Sequence, residues 1–252
     1  MTVSFAILGA NGRMGKELTK LYIEKYQDTF NLVARIDAID DHSFQEFPFF
    51  SNIRQAPDFD LLIDFSTPAA SINALPELLR RRAAWFLATT GLDEVCTEAV
   101  RQAATQIPVL HAANTSLGIA LMQKLCAIAA ETLQSWDCEI LETHHHHKKD
   151  APSGTALAIA KTIAAARDIP SRFVMHRDDL HEPRNEADIS IASLRGGTVA
   201  GEHSVIWFGP FERLEIKHTA ENRQIFAQGT YPAAEWLTRQ PAGYYSMRDF
   251  IG

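Results

Sequence analysis

Short runs of apolar residues alternate with segments of helical periodicity over the first 112 residues. Helical spacing of the apolar residues covers 12–26, about 69–82 and about 93–105. Parallel strands need crossover helices and are buried on both faces, so this alternation predicts a parallel sheet of the Rossmann type. The apolar runs are VSFAIL (3–8), NLVARID (31–37), DLLIDF (60–65), AWFLAT (84–89) and PVLHA (108–112).

The pattern changes after ANTSLG (113–118). Gly196 and Gly197 predict a turn between the first two of three strand-like segments that succeed one another without helices between them. This part of the chain therefore predicts a smaller α+β domain with a mixed or antiparallel sheet. Its predicted elements are a helix at about 117–134, a strand at 138–144, a helix at about 154–167 and strands at 187–195, 202–208 and 213–220.

A last helical segment at 223–239 is predicted to return to the first domain. We therefore expect an α/β protein in which residues 1–113 and 224–252 form the first domain and residues 114–223 the second. A chain of 252 residues is long enough for two such domains.

Composition and charge narrow the classes of function. The chain has 46% hydrophobic and 22% charged residues and a formal net charge of -7. This charge argues against a nucleic-acid binder, because affinity for the phosphate backbone comes from clustered Lys and Arg. Three cysteines are too few for a disulfide framework, and the sequence shows neither an export signal nor an apolar stretch that could span a membrane. We expect a soluble, cytoplasmic protein with no nucleic-acid or membrane partner.

The stretch GANGRMG (9–15) comes directly after the first strand and opens a helix, which is where the dinucleotide-binding turn of a Rossmann-type domain lies. Gly9 and Gly12 would let the backbone approach a pyrophosphate, whose charge is stabilised by the free N–H groups of the helix N-terminus. The spacing is GxxGxxG rather than GxGxxG. A tight turn without a ligand is the alternative.

Asp37 ends the second predicted strand, where a carboxylate can bind a ribose hydroxyl. The same carboxylate would repel the 2′-phosphate of NADPH, and the next residue, Ala38, brings no positive charge. The sequence therefore favours NADH over NADPH as the cofactor. Arg35 or Arg13 could still accommodate NADPH.

The most unusual stretch is ETHHHHKKDAPSGTA (142–156). Three interpretations are open: a metal site, an exposed basic loop without a role, and a site for an anion and an acid. Successive side chains of an extended segment point in opposite directions, and HExxH or Cys–His spacing is absent from the sequence, so we expect no metal.

The residues after the histidines favour the anion site. Pro152 suits the first turn of a helix, Ser153 and Thr155 can accept hydrogen bonds from free backbone N–H groups, and Gly154 lets a ligand approach the chain. Apolar residues at helical spacing come next in ALAIAKTIAAA (156–166). This segment therefore predicts a helix N-terminus that binds an anion beside the His and Lys side chains.

These motifs resemble those of the 4-hydroxy-tetrahydrodipicolinate reductase family, the dihydrodipicolinate reductases of bacterial and plant lysine and diaminopimelate synthesis. The resemblance extends over essentially the whole chain and includes ExHHxHKxDAPSGTA and GxxGRMG. It continues in FSTP (65–68), TTG (89–91), ANTSLG (113–118), GEH (201–203), ERLEIKHTAENR (212–223) and GYYSMRDFIG (243–252).

The resemblance implies the reaction and the residues that perform it. Family members reduce a cyclic unsaturated dicarboxylate to tetrahydrodipicolinate with NADH or NADPH. By resemblance, His144 is the proton donor and Lys148 acts with it. The positions that match substrate contacts, or lie beside them, are His145, Ser153, Gly154 and Thr155. The positions that match cofactor contacts are Gly9, Ala10, Asn11, Gly12, Arg13, Met14, Asp37, Ala88, Thr89, Thr90, Ala112, Ala113, Asn114 and Thr115.

The resemblance further implies a first domain that binds the dinucleotide, a second domain for substrate binding and oligomerisation, and a homotetramer assembled through the second domain's sheet. The chain departs from the usual family pattern at His146, where arginine is usual, at Ala88, where glycine is common, and at Thr115, where an aromatic residue is frequent.

Other interpretations remain open. The chain could be a dehydrogenase of the same architecture for another imine or aldehyde, a metal-dependent hydrolase, or a nucleotide sensor without chemistry. Outside the motif, His218 and Arg223 could reach the substrate, and Trp207 and Phe208 are expected in the sheet or at a subunit interface. The histidines expected to be structural or on the surface are His111, His176, His181 and His203.

Overall fold

The structure, a computed structural model, describes residues 2–175, 177 and 180–252. Contacts between Cα atoms divide the chain into two compact units. One unit comprises Met1–Ser116 and Gln224–Gly252, and the other comprises Leu117–Arg223. Each unit has its own sheet.

The secondary structure agrees with the alternation of apolar runs and helical segments. The strands are β1 (Val3–Leu8), β2 (Phe30–Ile36), β3 (Phe49–Phe50), β4 (Leu61–Asp64), β5 (Ala84–Leu87), β6 (Pro108–His111), β7 (Asp137–His144), β8 (Arg172–Val174), β9 (Asp188–Arg195), β10 (Gly201–Gly209), β11 (Glu212–Ala220) and β12 (Gly243–Tyr245). The helices are α1 (Arg13–Leu21), α2 (Pro68–Arg81), α3 (Glu94–Ala104), α4 (Leu117–Thr132), α5 (Gly154–Ala166), α6 (Gln224–Leu237) and α7 (Met247–Ile251), with a π-helical turn at Tyr22–Tyr26 and a 3-10 turn at Ile53–Gln55.

The sheet of the first unit has the order β12-β6-β5-β4-β1-β2-β3, and its neighbouring strands pair in parallel. Every residue of β4 and β5 is buried, as expected for a parallel sheet whose two faces are both covered. The predicted Rossmann-type sheet is confirmed. The sequence did not reveal β3 and β12, which are two and three residues long and have no periodicity to detect.

Local side-chain hydrogen bonds explain where helices of this unit begin. Thr67 precedes α2, which has proline at its first position, and the Thr67 side chain accepts a hydrogen bond from the Ala70 amide. Asp93 caps α3 through the Cys96 amide, with 2.7 Å between the atoms. The Tyr231 hydroxyl of α6 donates to the Leu18 carbonyl of α1, which ties the C-terminal helix to the glycine-turn helix.

The second unit has a mixed sheet of the order β11-β10-β7-β9-β8. Strand β10 pairs antiparallel with β11 and β7, whereas β7 and β8 each pair in parallel with β9. The predicted fold class, a Rossmann-type domain plus a smaller domain with a mixed sheet, is therefore confirmed. Helices α4 and α5 pack on one face of this sheet around Ile140, Ile191 and Trp207.

The predicted turn at Gly196 and Gly197 does not join two neighbouring strands. Strand β7 lies between β9 and β10, so the chain crosses from one side of β7 to the other. The two glycines instead pair with the end of β7, because the Gly196 amide donates to the His144 carbonyl and the Gly197 carbonyl accepts from the His146 amide. The turn itself lies between β9 and β10 as predicted, but the crossing over β7 was not predicted, because β7 comes much earlier in the chain and takes the central position.

Within residues 2–175, 177 and 180–252, no helix is long and apolar enough to cross a membrane.

Gly15 should be intolerant of a side chain. A Cβ atom at this position would lie 2.3 Å from the Gly9 carbonyl oxygen and 2.6 Å from the Ala10 Cα, and backbone atoms cannot move aside as a flexible side chain can. We expect Gly15→Ala to lower the free energy of unfolding by about 1–3 kcal/mol, the usual cost of overpacking. Urea denaturation measures this difference. Gly196→Ala is the control, because a Cβ there meets no atom within 4 Å. Equal unfolding midpoints for the two variants would contradict the proposed close packing.

Candidate active site

Strand β7 carries the central acid and base of the second unit on one face. Alternate residues of a strand share a face, and in β7 the buried series runs from Cys138 and Ile140 to Glu142 and His144. The first two side chains belong to the apolar core beneath α4 and α5. The last two continue the same face with polar groups, so β7 brings a carboxylate and an imidazole to the edge of the core.

Glu142 is completely buried and accepts hydrogen bonds from three different segments. The His144 Nδ1 lies 2.5 Å from its Oε2, the Ser153 amide donates to its Oε1 over 3.1 Å, and Arg195 donates to both oxygens over 2.9 and 2.8 Å. Burial alone raises the pKa of Glu142, but the hydrogen bonds from Arg195 and His144 outweigh it and lower the pKa to about 2. The carboxylate is therefore ionised at neutral pH.

The N-terminus of α5 lies directly beside this carboxylate. Ser153 caps the helix, and its Oγ accepts from the Ala156 amide over 3.1 Å. The first turn contains no acidic residue; Gly154 is exposed and Thr155 half-buried. The expectation that Pro152 lies in the first turn of the helix was wrong. Pro152 precedes the cap, because the side chain of the next residue, Ser153, caps the helix.

His203 of β10 completes the buried group. Its Nε2 lies 3.1 Å from the Ser153 Oγ, and its ring centroid is 5.2 Å from that of His144. Burial, together with the neighbouring His144, lowers the pKa of His203 to about 4. Its neutral ring thus lies among the site residues, although the sequence suggested only a structural or surface position.

Gly201, at the start of β10, lies against the other side of His144. A Cβ built on Gly201 would be 3.0 Å from the His144 Nε2. This distance is tighter than ordinary van der Waals contact, so a side chain at position 201 would press on the imidazole. The glycine of the GEH motif thus leaves room for the ring.

The turn after β7 presents positive side chains. Arg223 Nη2 lies 3.3 Å from His145 Nε2, and Lys148 Nζ donates to the Asp150 carboxylate over 2.9 Å. His146 and His147 are exposed, and their Nε2 atoms are 2.8 Å apart. In the part of the chain that the structure describes, there is no group of three or more His, Cys, Asp or Glu side chains that could hold a metal ion.

The glycine turn of the first unit fits a dinucleotide phosphate. Gly9 has a φ of 81°, and a Cβ there would lie 2.5 Å from the Phe65 carbonyl oxygen. Gly12 caps α1 without a side-chain hydrogen bond, and the first turn of α1, which includes Arg13 and Met14, has no acidic residue. Free N–H groups at such a helix N-terminus suit a phosphate.

Asp37 comes directly after β2 and organises this turn. Its Oδ2 accepts from the Asn11 amide over 2.9 Å, and its Oδ1 accepts from the Ala38 amide over 2.7 Å. Arg35 is only 1% exposed. Its guanidinium donates to the Asn11 Oδ1 over 2.7 Å and to the carbonyls of Ser43 and Phe44. The Arg35 guanidinium is thus already hydrogen-bonded to residues of the first unit, whereas Arg13 is exposed at the start of α1.

The remaining predicted cofactor positions come after β5 and β6 at the same carboxyl edge of the sheet. Thr89 is buried, and its hydroxyl donates to the Asp64 carboxylate over 2.8 Å. Thr115 is also buried, and its hydroxyl donates to the Phe226 carbonyl over 2.8 Å. Ala88 and Ala112 are buried, Asn114 is half-buried, and Thr90 and Ala113 are exposed; Ala10, in the glycine turn, is buried. Of these residues, only Asn114, Thr90 and Ala113 have side chains that solvent can reach.

The other histidines are scattered. The His111 Nδ1 lies 2.7 Å from the Tyr244 hydroxyl, and His181 is exposed. His218 of β11 pairs across from His203, and burial lowers the pKa of His218. His176 lies outside the described residues.

Two family models together match almost the whole chain. The model described as dihydrodipicolinate reductase, N-terminus, matches residues 3–115, and the one described as dihydrodipicolinate reductase, C-terminus, matches residues 118–251. The chain belongs to the dihydrodipicolinate reductase family. The predicted family and the predicted class, an NAD(P)H-dependent oxidoreductase, are confirmed.

The similarity to dihydrodipicolinate reductases extends over nearly the full length of this chain and of each relative. The 4-hydroxy-tetrahydrodipicolinate reductase of Zymomonas mobilis is 41% identical over 255 residues, which cover 100% of this chain and 98% of the relative. That of Caldanaerobacter subterraneus is 39% identical over 253 residues, covering 100% and 99%. A dipicolinate-bound dihydrodipicolinate reductase from Paenisporosarcina sp. TG-14 has a TM-score of 0.77 at 25% identity and covers 98% of each chain.

Other enzymes share the fold of this reductase family. A diaminopimelate dehydrogenase of C. glutamicum, solved with its ligand, has a TM-score of 0.58 at 16% identity and covers 99% of this chain and 94% of its own. An aspartate dehydrogenase from Thermotoga maritima has a TM-score of 0.55 at 12% identity, covering 96% and 98%. At these identities the likeness shows the fold alone.

No role in the site was predicted from the sequence for Glu142, Arg195 or His203. The period of a strand was a usable signal for Glu142, since the E-x-H spacing places it on the same face as His144. Nothing local identifies Arg195, which is 53 residues from Glu142 and reaches it through the parallel pairing of β7 and β9.

Proposed function

We propose that this chain reduces 4-hydroxy-tetrahydrodipicolinate to tetrahydrodipicolinate, with NADH or NADPH as the reductant, in lysine and diaminopimelate biosynthesis. The full-length similarity to reductases of that name supports the substrate. One observation supports the chemistry most directly: a single carboxylate, Glu142, binds both the His144 ring and the Ser153 amide. The proposed proton donor is thereby fixed beside a helix N-terminus.

The substrate is a ring with two carboxylates, and the second unit offers matching groups. We propose that the N-terminus of α5, at Ser153, Gly154 and Thr155, binds a substrate carboxylate together with His145. Helix N-termini favour anions because the backbone N–H groups of the first turn point out of the helix and the helix dipole is positive there. The Ser153 amide already donates to Glu142, so Ser153 contributes by capping the helix. Gly154 and Thr155, the two residues after it, are the ones proposed to contact the substrate carboxylate.

His144 is proposed as the proton donor. A nicotinamide cofactor, when bound, would supply a hydride to the unsaturated ring. The electron pair that this leaves on the ring would then take a proton from His144. Nδ1 of His144 is engaged by Glu142, so Nε2 is the atom that can deliver a proton. An imidazole suits this role because one ring nitrogen can donate a proton while the other stays hydrogen-bonded.

Lys148 is proposed to stabilise negative charge on the bound ring. Its ammonium group is paired with Asp150, whose side chain is 61% exposed. Because the Asp150 carboxylate can move into water, a substrate carboxylate can take its place beside Lys148.

The role of His144 and Lys148 can be tested by substitution. We expect His144→Gln and Lys148→Ala each to lower kcat by about 10²–10⁴-fold, the usual contribution of general acid–base catalysis. The assay measures loss of NADH absorbance with substrate generated from pyruvate and aspartate semialdehyde. His181→Gln and Lys161→Ala, both at exposed positions, are matched controls that should retain activity. Turnover within about threefold of wild type in the first pair would remove these residues from the mechanism.

We propose the first unit as the dinucleotide-binding domain and NADH as its preferred cofactor. Gly9 to Met14 would hold the pyrophosphate, Asp37 the ribose, and the positions after β5 and β6 the nicotinamide side. The negative charge of Asp37 opposes a 2′-phosphate. Arg35, which could have offset that charge, is buried and bound to Asn11 and two carbonyls.

Removing the Asp37 charge should shift the cofactor preference. For Asp37→Asn we expect the ratio of kcat/KM with NADPH to kcat/KM with NADH to rise by about tenfold or more, because a charge-assisted hydrogen bond is worth about 1.5–3 kcal/mol. Steady-state kinetics with both cofactors give the ratio. Asp28→Asn removes the same charge before β2, at the opposite end of that strand, and should leave the ratio unchanged. An unchanged ratio in Asp37→Asn would contradict the assigned role.

We propose that four copies of the chain assemble through the open face of the second unit's sheet. Leu141, Leu194 and Phe208 are exposed there, and the strand pairing places them on the face opposite α4 and α5. Burial of such a patch favours association.

The mass in solution tests the assembly. Analytical ultracentrifugation should give the mass of four chains for the wild type and a smaller species for Leu194→Asp, since a charge in an apolar interface is costly. Val95→Asp, on the exposed surface of α3, is the control. A wild-type monomer would refute the proposed tetramer.

A further inference from the structure

The proposed reaction assigns no step to Glu142 or Arg195, yet Glu142 binds the ring of the proposed proton donor, His144, and Arg195 binds Glu142. Four N–H groups converge on the two oxygens of Glu142: one from His144, one from Ser153 and two from Arg195. Arg195 also donates to the Asp150 carbonyl over 2.6 Å. The pair therefore links β7, β9, the turn after β7 and the cap of α5.

This arrangement fixes which nitrogen of His144 carries which proton. An ionised carboxylate only accepts hydrogen bonds, so the His144 Nδ1 facing it must be protonated. In the neutral ring the proton then lies on Nδ1, and Nε2 is unprotonated. Nε2 is therefore the atom from which a proton can be transferred, and it faces Gly201.

We propose that Glu142 and Arg195 are positioning residues for the proton donor: Glu142 holds the Nδ1–H of His144, and Arg195 holds Glu142. This inference rests on the proposed function of His144. Arg195 is required because a buried carboxylate without a cation would be expensive, and its two parallel N–H bonds fix the carboxylate plane.

A neutral amide cannot replace this carboxylate. Gln has one acceptor oxygen and an NH₂ group, so it cannot accept from four N–H groups as two carboxylate oxygens do. Where the amide oxygen faces Ser153, the NH₂ group faces His144 and forces the imidazole proton from Nδ1 to Nε2. Glu142→Gln should therefore change the tautomer of His144, whereas a purely structural contact would change stability alone.

The experiment combines NMR and kinetics on the full chain. The ¹⁵N shifts of histidine-labelled protein, recorded at a pH where the ring is neutral, distinguish the Nδ1–H and Nε2–H tautomers. The His144 signals are assigned by their absence from His144→Gln. Glu139→Gln is the matched control, since Glu139 lies on the same strand and binds Arg184 and Ser190 without touching His144.

We expect the Nδ1–H tautomer in the wild type and in Glu139→Gln, and an increased Nε2–H fraction in Glu142→Gln. The kcat of Glu142→Gln should fall by about 10²-fold, with a smaller change in KM, because acid catalysis is lost more than substrate binding. Arg195→Lys keeps the positive charge without the two parallel bonds, and it should lower kcat in the same direction. This second variant provides the test where Glu142→Gln does not fold.

Failure of this inference and failure of the proposed function give different results. If wild type is active, His144→Gln is inactive, and Glu142→Gln or Arg195→Lys retains the Nδ1–H tautomer and kcat within about threefold, the positioning role is refuted. If His144→Gln is as active as the wild type, the proposed function of His144 fails whatever the tautomer.

Discussion

The buried carboxylate of Glu142 is the interaction on which the second unit's site depends. A buried charge is unfavourable unless it is paired and hydrogen-bonded, and here one arginine, one imidazole and one backbone amide meet that requirement together. Because its pKa is about 2, below the ordinary value of 4.5, the ionised form stabilises the fold above about pH 4.5 and that contribution is lost as the pH falls towards 2. The same bonds that stabilise the fold also orient His144.

In the first unit, close approach of backbone segments has the importance that Glu142 has in the second unit. Gly9, Gly12 and Gly15 let β1, α1 and the residues after β4 approach one another more closely than side chains would allow. The resulting helix N-terminus has no side-chain cap and no acidic first turn, and Asp37 fixes the turn through the Asn11 amide. One local structure thus supplies both a turn that suits a phosphate and a carboxylate that suits a ribose.

The sequence predicted the parallel sheet, its helices and the cap at Ser153 because these depend on local periodicity and on single side chains. It did not predict the position of β7 between β9 and β10, because strand order depends on contacts far apart in the chain. Arg195 was missed for the same reason, whereas the E-x-H spacing on β7 was a local signal for Glu142 that was not used. The position of Pro152 was wrong because the Ser153 side chain caps α5. His144 and the glycine turn were predicted as site residues because each belongs to a contiguous motif.

The most direct test of the central claim is to locate a bound dicarboxylate. Pyridine-2,6-dicarboxylate added to the ¹⁵N-labelled protein should perturb the backbone amides of Gly154 and Thr155 and the ring signals of His144 and His145 most strongly. Perturbations of comparable size confined to other parts of the chain, with those signals unchanged at saturation, would contradict the account.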